Sequence, residues 1–346
     1  AGRAPQSDGP LASQPSVSRF DNLADRKALY QMGEVLLDTF IERHPRRRVR
    51  RIVLDIDSSE DPTHGQQEFT FFNAFYDSHC YLPLFVHASV DGGKNQEAVA
   101  AVLRPSNKSN KYGVVGVLRQ VVRQLKAAYP KAKLHLRADS GFAFPELYEF
   151  LEAEEVSYHI GLAQNKRLLA LIEAKMAALC RKHRPGVKLT QYAEVMYRAD
   201  TWSKERRVVV KLEVLEDGKR NPRFVVVSEK RATARADYRF YCARGDSENR
   251  IKELKLDLRS DLTSCPRFLA NQFRLLMAAA AYILYRALRS KLADTELAKA
   301  QVGTLRELLV FVGARVVETV RRVRVYLPTS HPHQELFRRA ADDLPA

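Results

Sequence analysis

The sequence is short of cysteine and of acidic charge, and each shortage narrows the classes of function open to it. Its 4 cysteines, Cys80, Cys180, Cys242 and Cys265, are scattered with no C-x-x-C pair. That spacing argues against a zinc site or a disulfide framework and for reduced thiols in a cytoplasmic protein. Long apolar runs are missing too: the longest, Leu275 to Leu284, is too short to span a bilayer. Nor is there the charged, apolar and small-residue order of a secretory signal. Acids are outnumbered, 41 Asp and Glu against 57 Lys and Arg, and the formal charge of +16 favours a polyanionic partner. Nucleic acid leads that list, ahead of an anionic membrane.

Residues 1–17 are rich in Ala, Gly, Pro, Ser and Gln without an apolar period and read as a linker or arm. Residues 18–50 read as a helical lead-in, because Leu23, Leu29, Met32, Leu36, Leu37 and Phe40 recur at helical spacing. From Arg51 to Asp57 the chain alternates as a strand, and Phe69 to Tyr76 and Tyr81 to Ser89 continue as aromatic and β-branched runs. Three antiparallel strands are expected there. A helix over Tyr112 to Ala128, a strand over Lys133 to Ala138, a helix over Phe144 to Glu154 and a strand over Ser157 to Leu162 follow. This βββαβαβ order predicts an α/β fold of the RNase H-like type, a mixed sheet flanked by helices, over 51–186. Residues 187–230 read as a β-rich insertion with an Asp217-Gly218 turn. Residues 231–320 read as the helical remainder of the core, with Phe268 to Leu288 packed on the sheet, and 321–346 as a tail.

Asp55 and Asp57 lie two apart on a strand and share a face, and Asp139 ends a later strand that can lie beside them. Carboxylates at adjacent strand ends make a hard, oxygen-rich site suited to magnesium. Glu248, near the start of a helix, is the candidate third acid. Each acid also has an ordinary reading. Asp139-Ser140-Gly141 has the chemistry of a turn or cap, and Glu248 lies among Arg244, Lys252 and Lys255 as an ion-pairing helix residue does.

The segment from Tyr241 to Lys255 has the form Y-x-x-R-x-x-x-E-x-x-x-x-x-x-K through Tyr241, Arg244, Glu248 and Lys255. This signature resembles that of bacterial DDE transposases. LDIDSSED, LRPSNKSN and LRADSGF further resemble the acid blocks and intervening loop of the insertion sequence thirteen-eighty family.

The resemblance implies an RNase H-like domain in which Asp57, Asp139 and Glu248 hold two Mg²⁺ ions, or Mn²⁺ in their place, for strand cleavage and transfer. Asp57 is preferred as first acid because Ser58 follows it, with Asp55 as the fallback. Tyr241, Arg244 and Lys255 are implied to grip phosphates near the cut end, as forked arginine and point-charge lysine do well. If Gly245 interrupts the helix, Tyr241 sits on the entering turn. Trp202, the only tryptophan, is assigned a base-receiving role by the same resemblance, against the alternative of a structural Trp.

Basic runs at Arg46 to Arg51, Arg104 to Lys111 and Arg315 to Arg324 are candidate phosphate surfaces, with Arg104 to Lys111 preferred; His64 reads as a structural loop residue. The implied activity is cut-and-paste transposition by a cytoplasmic, nucleoid-associated protein acting on double-stranded DNA, as a homodimer on its two ends and without a membrane partner. The first acid arrives early, at Asp57, so the amino-terminal DNA-binding region that such transposases carry is expected to be missing. The rival readings are a stand-alone RNase H-like nuclease and a non-catalytic DNA-binding remnant.

Overall fold

The computed structural model describes residues 13–92, 96–229 and 233–342. Residues 1–12 of the expected arm lie outside these, as do residues 230–232 and residues 343–346 of the expected tail. In chain order the first elements are α1 (Gln14–Asp21), α2 (Arg26–Arg43), β1 (Arg51–Ser58), β2 (Asp61–Pro62), β3 (Phe71–Asn73), β4 (Ser78–Tyr81), β5 (Leu84–Val90) and β6 (Glu97–Val102). Next come α3 (Val114–Ala128), β7 (Lys133–Ala138), α4 (Pro145–Ala153), β8 (Ser157–Leu162), α5 (Lys166–Arg181), β9 (Leu189–Tyr197), β10 (Arg206–Val214) and β11 (Arg223–Val227). The chain continues through α6 (Ala234–Cys242), α7 (Gly245–Leu258), α8 (Phe268–Lys291), α9 (Val302–Leu305), β12 (Arg315–Thr319), β13 (Arg322–Tyr326) and α10 (Gln334–Asp342).

The chain divides into two compact units, one of Gly33–Glu60 with Thr70–Arg250, the other of Ala1–Met32, Asp61–Phe69 and Ile251–Ala346. The first of these holds a large mixed sheet in the order β6-β5-β1-β7-β8-β11-β10-β9. β1 runs antiparallel to β5 and parallel to β7, and β7 runs parallel to β8.

Two expectations change here. The third strand of the opening meander is β6, not the Phe69 to Tyr76 run, which folds with its neighbour into a small hairpin, β3–β4. The reason is burial: Ala98, Val99 and Ala101 are small enough to fit inside, whereas Phe71, Phe72 and Phe75 face solvent. The β-rich segment between Asp139 and Glu248 makes no sheet of its own. β11 pairs antiparallel with β8, so β9, β10 and β11 prolong the central sheet.

The period of two divides this sheet into unlike faces. Ile52, Leu54 and Ile56 of β1, Leu134 and Leu136 of β7, and Tyr158 and Ile160 of β8 bury against α3, α4 and α5 through Leu118, Val122, Leu147, Leu151, Leu168 and Ile172. At the ~25 cal/mol per Å² of apolar burial, this layer is the main source of stability. On the other face Asp55, Asp57, His135, Arg137, His159 and Arg207 are polar, beside an apolar patch of Val209, Val225 and Val227, and α6 packs over its β8 to β11 part. His135 and His159 share a hydrogen bond of 2.8 Å, His159 reaches Asp237 at 3.0 Å, and Arg207 pairs with Asp237. The Phe240 ring packs edge-on against both imidazoles, at 4.6 and 5.0 Å between centroids. Buried polar groups therefore find partners in one another, as burial requires.

In the other unit α8 packs with α1 and α9, and Phe20 meets Phe273 edge-on at 5.2 Å. The residues of α8 belong to this unit. By length and composition α8 is apolar enough to cross a membrane, with a mean hydropathy of 1.2 over its best window. It nonetheless buries Asn271, which exchanges hydrogen bonds with the Cys265 backbone, and Arg286. The helical reading extends too far at its end, because β12 and β13 form a two-stranded ribbon over Arg315 to Tyr326.

Candidate active site

The parallel register of β1 and β7 aligns Ile56 with Ala138, so Asp57 and Asp139 follow as neighbours at the carboxyl ends of adjacent strands. Asp139 caps the turn Ser140–Phe142, its Oδ1 accepting from the Gly141 N–H at 2.9 Å. The cap reading of this residue and its place beside Asp57 are thus both realised. Asp57 Oδ1 accepts from the Ser58 N–H at 2.9 Å.

Arg244 closes the cluster. Its Nη1 donates to Asp57 Oδ2 at 3.0 Å and its Nη2 to Glu248 Oε1 at 2.7 Å. The helix breaks between α6 and α7 at Ala243 and Arg244, so Tyr241 lies in the last turn of α6 and Glu248 in the first turns of α7. The four signature residues do not share one continuous stripe. Lys255 sits on the later part of α7, among the residues of the helical unit. Ser247, between Arg244 and Glu248, anchors α7 through its hydroxyl to the buried His87 Nδ1 on β5 at 2.8 Å.

Burial raises the Asp57 carboxyl, and so do the charges of Asp139 and Glu248; Arg244 and the Ser58 N–H pull the other way, and the outcome is a pKa of about 6. Burial works against the Arg244 charge, but Asp57, Tyr241, Glu248 and Asp139 together hold its pKa above the ordinary value. The Tyr241 phenol is raised by burial and by Asp139, against the pull of Arg244. A Cβ at Gly161 would stand 2.6 Å from the Tyr241 hydroxyl and 3.0 Å from the Ser140 nitrogen. The absent side chain at Gly161 is what admits the phenol beside the Asp139-Ser140 peptide.

Asp55 is committed elsewhere. It is fully buried; Arg137 grips both its oxygens, at 2.7 and 2.6 Å, and Gln96 donates to it at 2.6 Å. Arg137 also donates to the Phe240 carbonyl at 2.8 Å, tying β7 to the end of α6. The fallback first acid is therefore a structural anchor under the site.

Two further expectations are corrected. Trp202 is only 3% exposed and packs edge-on against Tyr148 and Tyr197 with the Arg206 guanidinium over its ring, so no face is open to a base. Arg104 is buried as well. Its Nε donates to the Leu82 carbonyl at 2.9 Å, its Nη1 to the carbonyls of Asn110 and Tyr112 at 3.1 Å each, and its Nη2 to the Ser58 hydroxyl at 2.6 Å. It folds the 104–112 loop onto the end of β1 rather than facing a phosphate. The exposed cations of that loop are Lys108 and Lys111, and His64 is exposed on its own loop.

Sequence reasoning missed Tyr76, whose phenol is raised by burial and by Asp57, Glu60 and Asp139. It also missed Asn110, whose amide nitrogen lies 2.5 Å from where a Cβ at Gly141 would be. The Asn in LRPSNKSN was the only sequence signal for it.

Among the described residues no group of three or more His, Cys, Asp or Glu is close enough to hold an ion together. The oxygen donors of Asp57 and Asp139 fit a hard divalent cation in chemistry. Glu248 stands with Arg244 instead, its side chain 57% exposed.

The sequence matches the family described as transposase DDE domain group 1 over residues 1–346. No curated protein matches it. Among solved structures it is similar to the NurA nuclease from Sulfolobus solfataricus, with 10% identity over 82% of this chain and 99% of that one and a TM-score of 0.29.

Proposed function

This chain belongs to the DDE transposase family, group 1, and on that premise we propose that it cleaves DNA at transposon ends and joins the freed ends to target DNA. The observation that carries the proposal is the convergence of Asp57, Asp139, Arg244 and Glu248 at one end of the sheet, although they come from β1, the turn after β7, the break between α6 and α7, and α7. The strand order β6-β5-β1-β7-β8, with the acids beyond the paired ends of β1 and β7, supports an RNase H-like core prolonged by β9, β10 and β11. The blocks LDIDSSED, LRPSNKSN and LRADSGF support placement in the insertion sequence thirteen-eighty family.

Asp57 and Asp139 would hold Mg²⁺, with Glu248 completing the set once released from Arg244. Two such ions supply charge neutralisation at the attacking and leaving oxygens of a displacement at phosphorus. The chain's own groups do the rest. Tyr241 and Arg244 orient a phosphate, Arg244 by its forked donors, and the Asp139 cap keeps its carboxyl at the strand end. Such steps depend chiefly on position and charge, so small displacements of these groups are expected to cost much of the rate.

The test is cleavage of labelled duplex carrying the element's terminal repeats, with magnesium or manganese, for the wild type and for Asp57→Ala, Asp139→Ala and Glu248→Ala. Metal-dependent nicking at the repeat end that each substitution abolishes supports the reading. Binding without cutting by the wild type would instead favour the DNA-binding remnant. We further propose action on double-stranded DNA as a dimer on paired ends, in the cytoplasm at the nucleoid.

A further inference from the structure

The β3–β4 hairpin turns three phenylalanines outward beside the acids. Phe75 at its tip is 87% exposed and Phe72 53% exposed, with Phe71 also facing solvent. This exposure is built into the turn. Asn73 Oδ1 accepts from the Phe75 N–H at 3.0 Å, the Tyr76 N–H donates to the Asn73 carbonyl at 3.2 Å, and Asp77 takes a left-handed φ of 51°. Asn and Asp are the residues that tolerate such local geometry. The Phe75 ring makes a T-shaped contact with Tyr76 at 4.8 Å and is otherwise open to solvent.

Three bonds fix the hairpin to its surroundings. Ser78 donates to Glu60, three residues beyond Asp57. Ser106 donates to the Phe71 carbonyl at 2.7 Å, and Asn73 donates to the Ser106 carbonyl at 3.0 Å. Ser106 belongs to the loop that bears Lys108 and Lys111. Lys108 lies over the ring of Tyr112, itself 51% exposed, at 5.7 Å. The exposed rings of the hairpin and the exposed lysines of the loop are thus tied together through Ser106.

Exposed rings tied to exposed lysines suit a ligand that is at once aromatic and anionic, and the net charge of +16 gives the same sign preference. Bases within a duplex offer no faces, whereas unpaired ones do. We propose that Phe75 and Phe72, with Lys108 and Lys111, form a stacking site for unpaired nucleotides next to the phosphate that is cut. The placement relative to a cut phosphate rests on the proposed function, but the stacking site itself is read by binding alone.

The experiment titrates the full chain, without divalent metal, into a single-stranded oligonucleotide containing 2-aminopurine, following anisotropy and emission. The expected result is quenched emission and, for Phe75→Ala or Phe72→Ala, binding about five- to a hundred-fold weaker. Phe75→Trp should retain the affinity, and an oligonucleotide with abasic sugars should bind the wild type as weakly as the intact strand binds Phe75→Ala. Because the Phe75 side chain is so exposed, its substitution should leave the melting temperature unchanged. Equal affinity of wild type and Phe75→Ala, or no effect of removing the bases, overturns the proposal. So does wild-type self-association that Phe75→Ala abolishes, which would make the hairpin a contact between copies. Binding is read without divalent metal and without cutting, so a failure of stacking is distinguishable from a failure of cleavage.

Discussion

Nη1 of Arg244 stands 3.0 Å from Oδ2 of Asp57, and the two side chains are only 15% and 13% exposed. Removing the arginine leaves the sheltered Asp57 carboxylate without its counter-charge, whereas Arg244 still holds Glu248 when Asp57 is neutral. Arg244→Ala is therefore expected to lower stability at pH 7 by about 2–4 kcal/mol in urea denaturation. Arg244→Lys should restore the charge but not the fork to Glu248, recovering stability better than cleavage.

The Asp57 carboxyl gives a prediction with a definite sign. Its pKa in the folded chain, about 6, lies above the ordinary 3.8, so the folded state holds the proton more tightly than the unfolded state. The contribution to stability is fully present below pH 3.8 and is lost as pH rises through about 6. The rise corresponds to about 3 kcal/mol at neutral pH. Asp57→Asn should accordingly melt higher than the wild type at pH 7.5 and equally at pH 3.5, with the difference opening between about pH 4 and pH 6. Melting curves that stay parallel across this range would count against the charge at Asp57 being strained.

Gly161 and Tyr241 supply a test of close approach. A methyl at Gly161 would meet the Tyr241 hydroxyl at 2.6 Å, so Gly161→Ala is expected to destabilise by about 1–3 kcal/mol and to impair cleavage. Tyr241→Phe in the same chain removes the clashing oxygen and should recover part of the stability. No recovery would show that the Ser140 nitrogen, at 3.0 Å, is the true obstacle.

Trp202 separates packing from binding. As a buried ring among Tyr148, Tyr197 and Arg206, it should cost about 3–5 kcal/mol on substitution by Ala. Trp202→Phe should leave DNA affinity unchanged in an anisotropy titration. A selective loss of affinity at full stability would return Trp202 to the DNA surface.

What could be read from the sequence follows from how locally each feature is determined. β7 and β8 are placed as expected because each is a short run with turn residues at both ends. Asp57 and Asp139 were legible as neighbours because both end such runs. β6 was not, since EAVAAV is rich in alanine, which strands disfavour unless packing selects it for size. The roles of Asp55 and Arg104 were illegible for a different reason. Whether a charge faces solvent or an internal partner depends on Arg137, Gln96 and Leu82, which lie far along the chain from one or the other. The burial of Trp202 was illegible for the same reason, since it depends on Tyr148, Tyr197 and Arg206 from other elements.

Arg244 follows Asp57 by 187 residues, with β7, β8, β9, β10 and β11 laid down between them. A chain emerging from the ribosome thus sets its two aspartates side by side well before the arginine and the glutamate have been made. Until then the growing sheet carries an uncompensated pair of acids, and a chain ended early would keep it. The four groups of the cluster meet only when Arg244 and Glu248 have joined the sheet's two aspartates.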